Sequence, residues 1–222
     1  MGYHYRSCEA YHTMNKYKLI IFDFDGTLAD TITWFSESIN LAAEKYNFRK
    51  LTGEEMEELR GKETKEILSY LGISWWKIPF IASYMRQLMA EKISSIYLFD
   101  RVELLLNQLS DKNYKLAVVS SNSLHNVSQV LGPKNMALID HIECGASVFG
   151  KDSKYKKILA KTKFAPHEVL SLGDETRDIE AARKVRIHSG AVTWGYAKGE
   201  VLRNAKANYT FENMDELMEM LF

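Results

Sequence analysis

Three observations predict an α/β fold in which a doubly wound parallel sheet carries an inserted all-helical cap. A short apolar run, Ile20-Ile21-Phe22, ends in Asp23-Phe24-Asp25-Gly26-Thr27-Leu28. β-Branched and aromatic residues in so short a run read as a buried strand. From residue 98 onward, strand-like and helix-like stretches alternate, the pattern of βαβ units around a parallel sheet. Between them, residues 30–97 show helical periodicity and no strand candidate. The expected division is a core over 17–29 and 98–222, a helical cap over 30–97, and a poorly ordered extension over 1–16.

In chain order, Lys18 to Phe22 is the first strand. Ile32, Phe35, Ile39, Ala42, Ala43 and Tyr46 then fall at helical spacing. Thr52 with Glu55 three residues on forms a capping box and starts a second helix. A third runs from Lys62 to Leu71, closed by Gly72, and a fourth starts near Pro79. In the second half, Val102 to Leu109 is an amphipathic helix. Strands are predicted at Lys115 to Val119, His141 to Cys144, Val169 to Leu172, His188 to Thr193 and Asn208 to Phe211. Helices at Leu124 to Leu131 (stopped by Gly132-Pro133), Ser153 to Lys163, Asp178 to Lys184, Glu200 to Ala205 and Met214 to Leu221 separate or follow them. The cap hinges are expected near Leu28 to Thr31 and Tyr97 to Arg101. Trp75 and Trp76 are expected to pack within the cap.

Composition narrows the function. Lys+Arg and Asp+Glu both number 29, for a formal net charge of zero, so no global field attracts nucleic acid or an anionic membrane. The apolar stretch from Ile73 to Met85 is interrupted by Lys77 and Pro79 and is too short to span a bilayer. Two cysteines, Cys8 and Cys144, are too few for a disulfide scaffold and suit a reducing, cytoplasmic setting. The Tyr- and His-rich start lacks the order of a signal peptide. Met14 is a candidate start, and His4, Cys8 and His12 read as a loose terminus rather than a metal site, because no further ligand lies nearby.

In a parallel sheet the C-terminal strand ends share one edge, where α/β folds bind ligands. Asp23, Asp25, Ser120 and Asp174 all follow predicted strands, and Lys151 precedes a helix. Residues about 150 positions apart thus converge on one crevice. Their chemistry suits phosphoryl transfer. Asp23 would be the nucleophile, and Asp25, turned by Gly26, would protonate the leaving alkoxide and then activate water. Mg²⁺ would be held by Asp23, Asp174 and the backbone carbonyl of Asp25. Lys151 would neutralise charge. Ser120, with Gly26, Thr27, Ser121, Asn122 and nearby backbone N–H groups, would cradle the phosphate. Arg60 and Lys62, either side of Gly61, are candidates to contact the substrate from the cap, with a solvated turn as the equal alternative. His125 reads as a helix-surface residue, and Trp194 and Tyr196 as structural neighbours of the site.

The stretches Asp23-Phe-Asp-Gly-Thr-Leu-Ala-Asp30, Val118-Val-Ser-Ser-Asn122, Gly150-Lys-Asp152, Gly173-Asp-Glu-Thr-Arg-Asp-Ile-Glu-Ala-Ala182 and Val192-Thr-Trp-Gly-Tyr196 resemble the haloacid dehalogenase-like hydrolase superfamily, in its phosphoglycolate phosphatase-like branch. The resemblance covers residues 17–222. It implies a Rossmann-like core, a helical cap and a Mg²⁺-dependent phosphoaspartate mechanism on a small phosphate monoester. It assigns the roles above to Asp23, Asp25, Ser120, Lys151 and Asp174, and makes Asp178 an orienting acid behind the metal ligands. The family's frequent Pro-Gly after the cap is replaced here by Phe99-Asp100-Arg101. The expected protein is a monomer or homodimer acting on a small phosphorylated molecule, without nucleic acid or membrane partners. Two rival readings remain: a phosphomutase of the β-phosphoglucomutase type, disfavoured by Gly173-Asp174 where such mutases usually carry Glu-Asp, and a catalytically idle binding module on the same fold.

Overall fold

The computed structural model of the chain describes residues 16–145 and 150–222. The expectations for the first fifteen residues, including Met14 and the His4, Cys8 and His12 group, lie outside that range. The central sheet has six parallel strands: β1 (Leu19–Phe22), β4 (Lys115–Val119), β5 (His141–Glu143), β6 (Val169–Gly173), β7 (His188–Val192) and β8 (Tyr209–Phe211). Across the sheet they run β5-β4-β1-β6-β7-β8. Taken in chain order this is third, second, first, fourth, fifth, sixth, the Rossmann-like arrangement. The direction of winding reverses at β1, so the crevice beyond its C-terminal end is the expected binding place.

β1 is buried on both faces, as a parallel strand between helical layers must be. Ile20 and Phe22 join Leu116, Val118, Leu170 and Leu172 on one face. There they pack beneath α5 (Val102–Asp111), α6 (Leu124–Met136) and α10 (Met214–Leu221). Leu19 and Ile21 point the other way, toward Tyr155 and Ile158 of α7 (Lys151–Thr162) and Ala181, Ala182 and Val185 of α8 (Thr176–Val185). α9 (Gly199–Asn204) adds Leu202 beside Ile179 and Ala191.

Between β1 and α5 lie α1 (Ile32–Tyr46), α2 (Gly53–Leu59), α3 (Thr64–Tyr70) and α4 (Ile78–Glu91). The Thr52–Glu55 capping box forms as predicted, with both reciprocal bonds present. Pro79 sits in the first turn of α4, where its missing N–H is no loss. These helices pack in two small clusters, one around Ala42, Ile81 and Met85, the other around Leu51, Leu59 and Leu71.

Three expectations need correction. The segment 30–97 is not without strand: β2 (Ala29–Asp30) and β3 (Tyr97–Leu98) pair antiparallel at its two ends. Trp75 and Trp76 do not pack inside; they are 81% and 56% exposed, with Phe80 beside them at 58%. Gly132 does break its helix, at φ 69 and ψ 166, but Pro133 then opens a further turn that runs to Met136.

Candidate active site

The site forms around the turn that follows β1. Asp23 N–H still donates to Leu172 O, at 2.8 Å, so the nucleophile candidate is held by the sheet ladder itself. The chain then folds back: Phe24 O accepts the N–H groups of Leu28 and Ala29, each at 2.9 Å, and Gly26 N–H donates to Ala29 O at 2.9 Å. Gly26 has φ +76, and a Cβ there would collide with the Asp174 carboxylate and the Tyr196 ring. Only glycine combines that conformation with that approach. The closed turn corrects one expectation, because the Gly26 N–H is spent on Ala29 rather than free for a phosphate.

Asp23 is 4% exposed. Its Oδ1 accepts from Phe24 N–H at 2.7 Å, and its Oδ2 meets Lys151 Nζ at 2.5 Å. Lys151 also pairs with Asp178, whose other oxygen accepts from Glu175 N–H at 3.1 Å. Burial pushes the Asp23 carboxyl up to about 7, against the pull of Lys151 and Arg177. Burial alone would lower the Lys151 ammonium, but Asp178 and Asp23 together hold it raised, and it stays a cation. A buried ammonium shared by two carboxylates is kept by their charge, not by solvent.

Asp25 stands across from this pair. Asn122 Nδ2 bridges both its oxygens, at 3.1 and 3.2 Å, and Ser120 Oγ lies 3.4 Å from Oδ2. Burial raises its pKa, opposed chiefly by the Asn122 hydrogen bond, which favours the protonated form that a general acid requires. Asn122 is itself clamped: its Oδ1 accepts from Ser123 N–H and Asn126 Nδ2 at 2.8 and 2.9 Å. Ser120 Oγ accepts from Asn122 N–H at 2.9 Å.

Asp174 follows β6 and is fully buried. Thr27 Oγ1 donates to its Oδ1 at 2.9 Å, and Tyr196 N–H to its Oδ2 at 2.7 Å. The Thr27 hydroxyl is thus turned toward Asp174, not toward the crevice. Burial, then the charges of Glu175, Asp23 and Asp178, hold Asp174 well above the usual carboxylate range. Among the described residues, the oxygens that gather within 4.8 Å of one another are those of Asp23, Glu175 and Asp178. Such hard oxygen donors suit Mg²⁺. The carboxyl groups of Asp23, Asp25, Asp174, Glu175 and Asp178 outnumber the cations of Lys151 and Arg177 around them, a surplus of negative charge that a divalent ion would reduce.

The helical insert closes over this edge. Arg60 donates from Nε to Tyr196 O at 3.0 Å and from Nη2 to Gly195 O at 3.1 Å, while Nη1 pairs with Glu57 at 2.9 Å. Lys198 N–H returns a bond to Arg60 O at 2.9 Å. Arg60 therefore ties insert to core, whereas Lys62 stays exposed on the rim of the crevice. Tyr196 is more than a structural neighbour: its hydroxyl meets Thr31 Oγ1 at 2.8 Å and its ring lines the crevice. Trp194 keeps a structural role, donating to Thr27 O at 3.1 Å. His125 is exposed, as expected.

Sequence reasoning missed four residues. Glu175 completes the acidic cluster and pairs with Arg177. Lys154, buried, donates to Ser120 O at 2.5 Å and Gly145 O at 2.8 Å and so holds the loop that carries Ser120. Arg86 reaches from α4 to Ser121 O at 3.3 Å. Glu175 and Arg177 sat within a quoted motif; Arg86 and Lys154 carried no local signal.

Comparison with known proteins agrees with this fold. The signature described as "Haloacid dehalogenase-like hydrolase" matches residues 20–192. A phosphoglycolate phosphatase of Synechococcus elongatus is 29% identical over 201 residues, covering 90% of this chain and 95% of the relative. A phosphoglycolate phosphatase of Vibrio cholerae is 24% identical, covering 94% and 98%. A haloacid dehalogenase-like hydrolase structure from Streptococcus pneumoniae superposes with a TM-score of 0.74 at 21% identity, covering 91% of this chain and 97% of that one. The chain belongs to the haloacid dehalogenase-like hydrolase family.

Proposed function

We propose that the protein is a Mg²⁺-dependent phosphatase that hydrolyses a small phosphate monoester through a phosphoaspartyl intermediate on Asp23. The observation that carries this reading is the opposition of two buried acids with different partners. Asp23 is paired with the Lys151 ammonium at 2.5 Å, while Asp25 is held by the neutral donors Asn122 and Ser120. Burial raises both carboxyls, but only Asp23 has an ammonium beside it to support its ionised form, whereas Asp25 has neutral donors alone, the division of labour that acid–nucleophile catalysis needs.

In the first step an Asp23 oxygen bonds to phosphorus and the ester P–O bond breaks. The leaving oxygen keeps the electron pair and takes the Asp25 proton. In the second, Asp25 takes a proton from water as its oxygen bonds to phosphorus, and the P–O bond to Asp23 breaks, giving orthophosphate and restoring both acids. Lys151 offsets the negative charge brought to Asp23, and Ser120 and Asn122 keep Asp25 aimed at the crevice. Asp23, Asp174 and the Asp25 carbonyl, with Glu175 and Asp178 nearby, would hold Mg²⁺, which supplies charge neutralisation for the transferring group. Asp178 serves by fixing Lys151. The helical insert serves as the cap. No helix among the described residues is long and apolar enough to cross a membrane, and a cytoplasmic enzyme acting as monomer or homodimer is the setting this reading adopts.

Orthophosphate release with Mg²⁺ tests the proposal. Asp23→Asn is expected to lose more than about 10³-fold in kcat. Equal rates from the variant and the unmodified chain would remove Asp23 from the mechanism.

A further inference from the structure

We propose that the organic half of the substrate is apolar and longer than two carbons: a phosphate monoester of an alkyl or aryl alcohol of roughly seven carbons. The inference rests on the phosphatase reading above and names its substrate class. A cavity of about 350 Å³ runs from Asp25, Ser121 and Asn122 into the space between the two packed clusters of the helical insert. At roughly 30 Å³ per non-hydrogen atom, the liquid-water share, it holds about twelve atoms, a phosphoryl group and about seven carbons.

The two ends differ in chemistry. The end beside Asp25 carries the polar groups, with Arg86 on Ser121 O placed for phosphoryl oxygens. The deep end is lined by Ile67, Leu68, Ile73 and Ile78, half-buried side chains that face it, backed by buried Leu71 and Ile81. Of the other cations on the lining, Arg60 is bonded to Gly195 O, Tyr196 O and Glu57, Arg177 is paired with Glu175, and Lys62 is exposed at the rim. Among the described residues, this apolar wall carries no charged group of its own, and Lys62, the nearest lining cation in the chain, is exposed. A carboxylate there would be desolvated without a partner, whereas methylenes would replace water against Ile and Leu.

The test is a series of ethyl, butyl and hexyl phosphate, with 2-phosphoglycolate alongside, all assayed for orthophosphate release with Mg²⁺. Beyond two carbons the acidity of the leaving alcohol is nearly constant along the series, so the slope reads contact with the cavity rather than chemistry. We expect kcat/KM to rise about fourfold per methylene, with hexyl phosphate at least tenfold above 2-phosphoglycolate. A flat or falling series, or a preference for 2-phosphoglycolate, overturns the inference and leaves the phosphatase reading standing. No release from any ester overturns the phosphatase reading, and this one with it. Leu68→Gln, which changes a side chain outside both packed clusters, is expected to cut the hexyl-to-ethyl ratio at least fivefold; an unchanged ratio counts against the assignment. Circular dichroism checks that the variant folds, and the series on the unmodified chain decides alone if it does not.

Discussion

Lys151 is the residue on which the site depends electrostatically. It lies 5% exposed between Asp23 and Asp178, both also buried. Lys151→Met keeps the volume and removes the charge, leaving two carboxylates uncompensated. Breaking a buried ion pair this way costs about 3–5 kcal/mol, so urea unfolding of the metal-free variant should show a loss of that size. A loss below about 1 kcal/mol would mean that water reaches the pair. Asp25→Asn differs in kind. Asn can retain a contact with Asn122 and Ser120, so stability should hold while kcat falls by about 10²–10⁴-fold. A fall below tenfold would take proton transfer away from Asp25. The identity of the acids was legible from the sequence because each ends a strand. The residues that hold the Ser120–Ser121 loop were not: Lys154 and Arg86 act on Ser120 O and Ser121 O through contacts that span 34 and 35 positions.

At the level of elements, the docking of the helical insert on the sheet edge rests on few bonds. Arg60 supplies two of them, to Gly195 O and Tyr196 O. Arg60→Ala removes both donors, a loss of about 1–3 kcal/mol for buried carbonyls left unmade. Amide exchange should quicken across Gly195–Tyr196 and α2, with KM raised more than kcat is lowered. Unchanged exchange would show that the closed arrangement is held elsewhere. Arg60 was read from the sequence as a substrate contact or a solvated turn; the structure gives it a third role, because a guanidinium beside two backbone carbonyls binds them before it binds an anion. The helices themselves were legible from period and caps. The β2–β3 ribbon was not, since two residues per strand carry no period and their pairing joins positions far apart in the chain.

For the molecule as a whole, pH acts through His188 as well as through the site. Its ring faces Tyr17, whose hydroxyl lies 2.8 Å from Nδ1 and also bonds Tyr209. Burial, then the charges of Lys16 and His167, lower its pKa below the usual 6.5. The folded protein therefore prefers neutral His188, and the unfolded chain takes up the proton first. The stability involved is present above pH 6.5 and is lost as pH falls toward the lowered folded value. His188 is half-buried, so solvent screens the effect and keeps it small. Thermal unfolding between pH 7 and pH 5 should fall less steeply for His188→Gln than for the unmodified chain; equal slopes would exclude His188. The sheet order was legible in outline, because alternation from residue 98 onward admits few parallel topologies. The exposure of Trp75 and Trp76 was not, because adjacency in sequence says nothing about which side of a short turn meets solvent.

The β2–β3 ribbon has a consequence for how such a chain can change over time. Ala29 lies opposite Leu98 and Asp30 opposite Tyr97, so the path into the helical insert and the path out of it are hydrogen-bonded neighbours. Segments between them that do not touch the core can be lengthened or shortened without moving the register of β1 against β4 and β6, whereas Arg60, Arg86 and Met89 tie the insert to the core. The ribbon makes the insert a cassette. On the proposed reading, a chimera that grafts a different helical segment between Asp30 and Tyr97, with those three contacts kept, inherits the reaction from one parent and its choice of alcohol from the other.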